Sequence, residues 1–468
     1  MQIPIINGSF TDEAPDFRSS YPRNMVPVPK KQGISNGYLR PSDGIAAFGV
    51  GPGVDRGAVT WNKVCYRVMG SSLVKVDASG NVTVLGTIAG APETQCTLDY
   101  SFDRLSVSGG GKLYYWNGVT LTQVIDTDLG YVVDHLWVDG YFMTTDGFYL
   151  IVTELNDPTS VNPLKYGSSE ADPDPILGLF KLRNEVYALN RNTIEQFNNV
   201  GGSLFPFQRN EGAQIQRGVL GTHCAAIFMD AIAFLGGARN EAPSIWVGNN
   251  GSSAKIATRE IDTILMGYTE GELSLTLMEA RVFKGHELLY LHLPDQTLVY
   301  DGNGSQVVGE PVWYTLTSSV VGLGKYRARN ILWCYDKWLS GDPTGNTLGE
   351  LVDTVSTHYG DKIGWEFNTP IIYNESLGAV FHMLELVTLP GRIALGVDPV
   401  VWTSYSLDGE LWSQERACNV GKQGARDKRA TWLNQGSMRN WRIQRFRGTS
   451  DAHLSIARLE AKMEPLNA

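Results

Sequence analysis

A chain of 468 residues, 43% of them hydrophobic, has apolar mass enough for about two to four domains with real cores, which excludes a linker or a disordered segment. Its 39 basic and 49 acidic residues leave a net charge of -10, which excludes a general attraction to nucleic acid or anionic membrane and confines any such contact to a local patch. Cys65, Cys96, Cys224, Cys334 and Cys418 are set singly, with no CxxC, which excludes a disulfide framework or a clustered zinc site and reads as reduced, mostly buried thiols.

The chain begins MQIPIINGSF, without the positive region and apolar run of a secretory signal, so synthesis in the cytoplasm is expected. Residues 1–57 read as an extended arm, because YPRNMVPVPKK sets Pro22, Pro27 and Pro29 close together and removes donors that helix and central strand need. From about Trp61 apolar and polar residues alternate between Gly, Asn and Asp turns, the period-2 signal of half-buried strands. A strand, a tight turn and a second strand recur, in CYRVMGSSLVKVDASGNVTVLG, RLSVSGGGKLYYWNGVTLTQV and LLYLHLPDQTLVYDGNGSQVV among others. With second strands placed at Leu73, Leu113, Phe148, Ile194, Ser244, Thr297 and Leu348, the steps are 40, 35, 46, 50, 53 and 51 residues, the size of four-stranded propeller blades. Residues 58–365 are therefore expected to form a β-propeller of six or seven blades; two β-sandwiches with accidental spacing are the alternative.

Within this region GVLGTHCAAIFMDAIAFLGGA approaches membrane length, but Asp230, His223 and its glycines favour two strands joined near Met229-Asp230, so no membrane span is expected. IDTILMGYTEGELSLTLMEA is the best helix candidate, with an acidic residue such as Asp262 as its cap. Residues 366–468 read as five or more strands of a β-sandwich-like domain, with a turn at Ser406-Leu407-Asp408-Gly409, and the whole chain is all-β.

Catalytic constellations are sought next. HELLYLHLPDQTLVYD, His286 to Asp301, offers two histidines and two aspartates, yet on a strand rising about 3.3 Å per residue His286 and His292 stand roughly 20 Å apart. They cannot share a metal there, and the HExxH spacing is absent. The stretch reads as a hairpin turning at Pro294-Asp295. His135, His223, His358, His382 and His453 have no sequence neighbours that complete a ligand set. Gly109-Gly110-Gly111-Lys112 lacks phosphate-loop spacing and reads as a hairpin turn, and no GxSxG elbow occurs. SLDGELW, Ser406 to Trp412, is similar to the Asp-box turns of sialidase propellers but occurs once, and those turns are structural. Asp172 and Asp174 in EADPDP suit an exposed turn better than acid/base chemistry. No catalytic residue, cofactor or metal site is expected, and the chain is read as not an enzyme.

One charge feature stands out. Between Arg416 and Arg447 lie Arg416, Lys422, Arg426, Lys428, Arg429, Arg439, Arg442, Arg445 and Arg447 against Asp427 alone, a local +8 that leaves -18 for the remainder. With Trp432 and Trp441 interleaved, this window is a candidate contact for DNA phosphates or an acidic partner; a solvated strand face with alternating arginines is the plain alternative.

Several stretches, taken in order, carry a resemblance: YPRNMVPVPK with GYLRPSDGIAAF, then DRGAVTWNKVCYRVMG, NTIEQF, IQRGVLGTHCAAIFMDAIAFLGGARNEAPSIWVG and MEARVFKGHELLYLHLPDQTLVYD. Together they resemble the packaged-DNA stabilisation proteins, also called tail hub or tail accessory proteins, of short-tailed, tailspike-bearing bacteriophages. The likeness runs from about residue 20 to 300 and returns at Asp427-Lys428-Arg429; from 300 to 425 it is loose. It implies a non-enzymatic component of the virion tail, made in the host cytoplasm. In that family six copies form a ring beneath the portal and its head-to-tail adaptor ring, retain packaged DNA, and carry the tail needle and tailspikes. A homohexamer is the implied state. The segment Pro22, Arg23, Pro27, Pro29, Lys30 and Lys31 is then expected to act as an inter-subunit arm, and the basic window to meet a neighbour, the adaptor or DNA. Two rival functions need different features. A propeller glycosidase or depolymerase of the host envelope needs acids clustered at the propeller centre, and a glycan-binding module needs Trp116, Trp137 or Trp246 on an exposed platform.

Overall fold

The computed structural model describes residues 1–6, 21–30, 37–155, 157–375, 377–390, 393, 397–425 and 427–466. The strand pairs read from the sequence are present, and seven four-stranded antiparallel sheets follow one another along the chain as propeller blades. Blade 1 is Asp55–Trp61, Val64–Met69, Ser72–Val76 and Val82–Thr87; blade 2 is Thr97–Tyr100, Leu105–Gly109, Lys112–Trp116 and Leu121–Gln123. Blade 3 is Asp134–Val138, Tyr141–Thr145, Tyr149–Thr153 and Val161–Ser168; blade 4 is Ile176–Leu182, Glu185–Asn190, Ile194–Asn199 and Phe207–Arg209. Blade 5 is Ala225–Phe228, Ala231–Gly236, Ser244–Asn249 and Ser252–Lys255; blade 6 is Leu277–Phe283, His286–His292, Thr297–Asp301 and Val312–Leu316. Six of the seven residues used to measure the repeat lie on the third strand of a blade, and Phe148 lies one residue before it.

In most blades the turn between first and second strands is a two-residue turn in which both residues take positive φ, as at Asn62-Lys63, Met229-Asp230, Lys284-Gly285 and Tyr335-Asp336; blade 2 turns over four residues, 101–104, and blade 4 takes positive φ at Arg183 alone. That backbone matches the right-handed twist of the strands it joins. First strands of successive blades touch, those of blades 1 and 2, 2 and 3, 3 and 4, and 5 and 6, and the first strand of the closing blade, Arg329–Cys334, touches those of blades 6 and 1. Between the blades lie apolar layers, the largest gathering Tyr187, Phe234, Trp246, Leu289 and Trp313.

Blade 7 closes the ring from both ends of the propeller segment. Its first three strands are Arg329–Cys334, Lys337–Gly341 and Thr347–Val352, and its fourth is Gly44–Val50, paired from Val50 with Thr347 to Gly44 with Val352. The expected arm is therefore different in its described parts. Gly44–Val50 is blade, Gln2–Ile3 lies on Leu454–Pro465, and Met25–Pro29 pairs with Gly37–Pro41, which in turn pairs with Leu454–Pro465. Pro27 and Pro29 fit this placement because Met25–Pro29 is an edge strand, where a missing donor faces no partner. Lys31 lies outside the described residues.

Two sheets make the C-terminal sandwich. One holds the N-terminal strands with Leu454–Pro465, Ala379–Pro390 and Ala430–Leu433; the other holds Gly364–Asn368, Trp441–Thr449, Val400–Ser406 and Arg416–Asn419. Phe367, Phe381, Leu384, Trp432 and Phe446 fill the space between them. The helix candidate forms as two short helices, Arg259–Met266 and Glu270–Leu273. Thr258, not Asp262, caps the first, since its hydroxyl accepts from Ile261 N–H; Asp262 lies within the first turn and accepts from Ser244 and Lys255.

Candidate functional site

Acids do gather on the first strands, where the glycosidase reading wants them, but each is occupied by an adjacent blade. The first strand of a blade has one edge without a partner strand, so its N–H groups need acceptors from elsewhere. Trp137 N–H of blade 3 donates to Asp99 of blade 2 (2.6 Å), and Leu179 N–H of blade 4 donates to Asp134 of blade 3 (2.8 Å). Ile331 N–H of blade 7 donates to Glu279 of blade 6 (2.7 Å). At the closing seam Asp55 of blade 1 receives Asn330 of blade 7 (2.5 Å) and its own blade's Arg67 (2.9 Å), while Arg67 also donates to the Asn330 carbonyl (3.1 Å). Gly341 leaves room for this cluster, since a Cβ there would stand 2.2 Å from Asp55.

These are staples between blades, and burial shapes their titration. Burial pushes the Asp134 carboxyl up to about 7, against three donors, Thr97 and the N–H groups of Leu179 and His135. Burial opposes the charge of Arg67, but the Asp55 carboxylate beside it holds its proton more firmly than usual. His135, His223 and His358 are driven down by burial, to about 3, 4 and 3; His135 and His358 are neutral core groups, and His223 is half-buried.

The histidine stretch is a hairpin of blade 6, His286–His292 on Thr297–Asp301. Each histidine has its own carboxylate: His286 meets Asp301 (2.6 Å), which also caps the helix Gly302–Val308, and His292 meets Glu279 (2.7 Å). Among the described residues no group of three or more His, Cys, Asp or Glu side chains is arranged to hold a metal. Asp174 accepts from Asn192 N–H and Asp172 pairs with Arg239, so these two hold loops together. Trp116 and Trp246 are buried, the latter under Arg217 at 3.8 Å; Trp137 is half-buried against Phe102.

The basic window divides. Arg442 is corrected from a contact residue to a core residue: it is fully buried, between the rings of Phe381 and Tyr405, donating to Gln444 and to the Gln435 carbonyl. Burial lowers its pKa to about 10. Arg445 and Arg447 share Glu415, which stands one residue before the counted window, and stack on Trp412 and Trp402. Arg429 pairs with Glu385, and Arg426 lies outside the described residues. Arg416, Lys422, Lys428 and Arg439 remain exposed. Arg416 and its neighbours belong to the edge strand of one sheet, which touches Ala430–Leu433, the edge strand of the other. Of these, Arg416 donates to the carbonyls of Leu433 and Asn434, and Lys422 and Lys428 stand near the Asp398 carboxylate, which they help to hold below the usual carboxylate range.

Pro22, Arg23 and Pro27 are engaged within their own chain. Thr315 N–H of blade 6 donates to the Pro22 carbonyl (2.9 Å), and Arg23 and Glu366 exchange backbone bonds (2.8 and 3.0 Å). Asn24 donates to the carbonyls of Thr317 and Gly364 and accepts from Thr317 N–H. This short segment joins the propeller to the sandwich. Pro27 is buried, Pro29 half-buried, and Lys30 is exposed beside the ring of Tyr38. No local pattern hints at this use, because its partners stand 293 and 340 residues away.

Two family models match, described as "Bacteriophage P22 Gp10, beta-propeller" over residues 1–356 and "Bacteriophage P22 Gp10, beta-sandwich" over residues 364–464. The chain belongs to the P22 Gp10 family. The tail hub protein gp10 of Salmonella phage P22 is 27% identical over 484 residues, covering 99% of each chain. Among solved structures, the Pan2 WD40 domain of Neurospora crassa is similar at 9% identity and a TM-score of 0.42, over 66% of this chain and 96% of that one. The N-terminal domain of Nup159 is similar at 11% identity and a TM-score of 0.40, over 74% of this chain and all of that one. The two family matches meet between residues 356 and 364, next to Gly364–Asn368, the first strand of the sandwich after blade 7.

Proposed function

We propose that this chain is the tail hub of a short-tailed phage virion, a structural part without a catalytic role. The observation that carries the reading is the relationship to the P22 tail hub protein along 99% of both chains. The architecture supports it: a propeller whose blades are cross-linked by buried polar groups is a stiff disc with loops on two faces, and stiffness with variable loops suits a part that others dock on. In the finer reading six copies ring the tail beneath the portal and adaptor, hold the packaged DNA, and offer docking sites to needle and tailspikes. The exposed residues Arg416, Lys422, Lys428 and Arg439, with Lys30, are the proposed contacts with such neighbours. The proposed division is a propeller closed by Gly44–Val50 and a sandwich that includes the earlier N-terminal strands.

The test is to inactivate this gene in its own phage and examine the particles. Heads without complete tails, which lose their DNA on purification, are expected. Infectious particles with complete tails would overturn the reading.

A further inference from the structure

Trp137 lines a groove of about 540 Å³ at the end of blades 2 and 3 where first strands turn into second strands, with Phe102, Asp103, Arg104, Asp139 and Leu155 among its walls. Phe102 is 89% exposed and Leu155 54%, and the Phe102 ring stands edge-on to that of Trp137, centroids 5.5 Å apart at 82°. Blade 2 makes its turn with four residues, 101–104, where most blades use two, and the added length lifts Phe102 into solvent.

The polar groups of this groove are held in place by their own chain. Asp103 accepts two bonds from Arg104 (3.1 and 2.6 Å) and one from the Ser101 hydroxyl (2.7 Å), and the Arg104 guanidinium above all holds its carboxyl down to about 2. Asp139 accepts from Asn199 of blade 4 (3.0 Å). Lys181 donates to the Trp137 carbonyl (2.6 Å), with its ammonium 5.2 Å from the centre of the indole. Rings and ionised groups are thus set before a ligand arrives, which lowers the ordering cost of binding.

The size is that of a small-ligand site, and an apolar wall with a few fixed polar groups is the usual make-up of one. Its chemistry narrows the ligand. Aromatic faces suit the C–H faces of a sugar ring, while a carboxylate and a guanidinium side by side offer an acceptor and donors to neighbouring hydroxyls. Asp103 and Asp139 against Arg104 leave the wall at -1, which does not attract a phosphate or an acidic polymer. We infer that this groove binds a neutral oligosaccharide, with Phe102 and Trp137 against its rings and Asp103, Arg104 and Asp139 meeting its hydroxyls. The site stands on the geometry of the groove and goes beyond the tail hub reading; only a cell-surface polysaccharide as its source rests on that reading.

The experiment is calorimetric titration of the purified full chain with neutral oligosaccharides cut from the delipidated surface polysaccharide of the phage's host, and with their single sugars. The oligosaccharides are expected to bind at least about tenfold more tightly than the single sugars, with little change between about 50 mM and about 500 mM salt. Phe102→Ala should weaken binding by about tenfold or more with unchanged thermal unfolding, because Phe102 is exposed, and Trp137→Phe should weaken it in the same direction. Tyr166→Ala, in a separate groove of blade 3, should leave it unchanged. No binding, binding of the single sugars alone, or binding that survives Phe102→Ala would overturn the assignment. So would tighter, Phe102-dependent binding of a single-stranded DNA oligonucleotide or of a lysine-rich peptide, since the groove would then serve a charged partner. None of these outcomes alters what the gene inactivation reads, so the two claims fail separately.

Discussion

The propeller and the sandwich bury polar groups for different reasons. Blades present the edges of their first strands to one another, so each seam has N–H groups that need acceptors, and Asp99, Asp134 and Glu279 supply them from the preceding blade. The two sheets of the sandwich meet by their faces, whose backbone is already paired, and the space between is filled by Phe367, Phe381, Trp432 and Phe446. Arg442 is the exception there, a buried cation held by amide oxygens and ring faces. The lesson is that edge-to-edge assembly demands charged cross-links while face-to-face assembly does without them, so losses should be steepest at the seams.

The sharpest test removes Asp55. Asp55→Ala leaves Arg67 buried beside Asn330 without its carboxylate, and the expected loss is about 3–5 kcal/mol in urea unfolding of the full chain. A loss below about 1 kcal/mol would mean that the closing seam does not depend on its charges.

Asp134 tests the seams through pH. Its folded pKa of about 7 lies above the unfolded value near 3.9, so its contribution is present in full below about pH 4 and is lost as pH rises through 7, on the order of 4 kcal/mol. Burial of His135, His223 and His358 acts in the opposite sense, costing stability as pH falls below about 6.5, so parent and variant must be compared at each pH. Asp134→Asn is expected to be less stable than the parent at pH 5, because its amide cannot accept from both N–H groups. The gap should narrow by pH 8; a gap that is constant with pH removes Asp134 as a titrating staple.

In the sandwich, Arg442→Met should change stability by no more than about 2 kcal/mol, since losing the bonds to Gln444 and Gln435 is offset by no longer burying a cation. A loss as large as that of Asp55→Ala would erase the contrast between the two regions. The smallest effect is expected at the surface, where Glu415→Gln should cost less than about 1 kcal/mol because Arg445 and Arg447 both reach solvent.

Local signals were legible. Gly110-Gly111, Met229-Asp230 and the turn after Leu293 stood out as hairpins because the turn residues and the alternating strands lie within about twenty positions of each other. The steps of 35 to 53 residues between the second strands of the recurring pairs then point to propeller blades. Pairings across the chain are not legible: nothing near Gly44–Val50 says that its neighbour is Thr347–Val352, and Pro22, Pro27 and Pro29 read as an arm where a joint to blade 6 and an edge strand stand. The basic window was half legible for a similar reason. Counting charges along the chain finds nine cations, but which are free depends on Glu385 and Glu415 across the strands and on the burial of Arg442.

The closing strand also sets an order of events during synthesis. Gly44–Val50 leaves the ribosome about 300 residues before the strand it pairs with, so six blades can form while the seventh waits half-built with an open flank. A nascent propeller is an unsealed horseshoe for most of its translation. Codon changes that slow elongation between blades 6 and 7 would lengthen that interval and raise the share of chains lost to aggregation without altering a single amino acid.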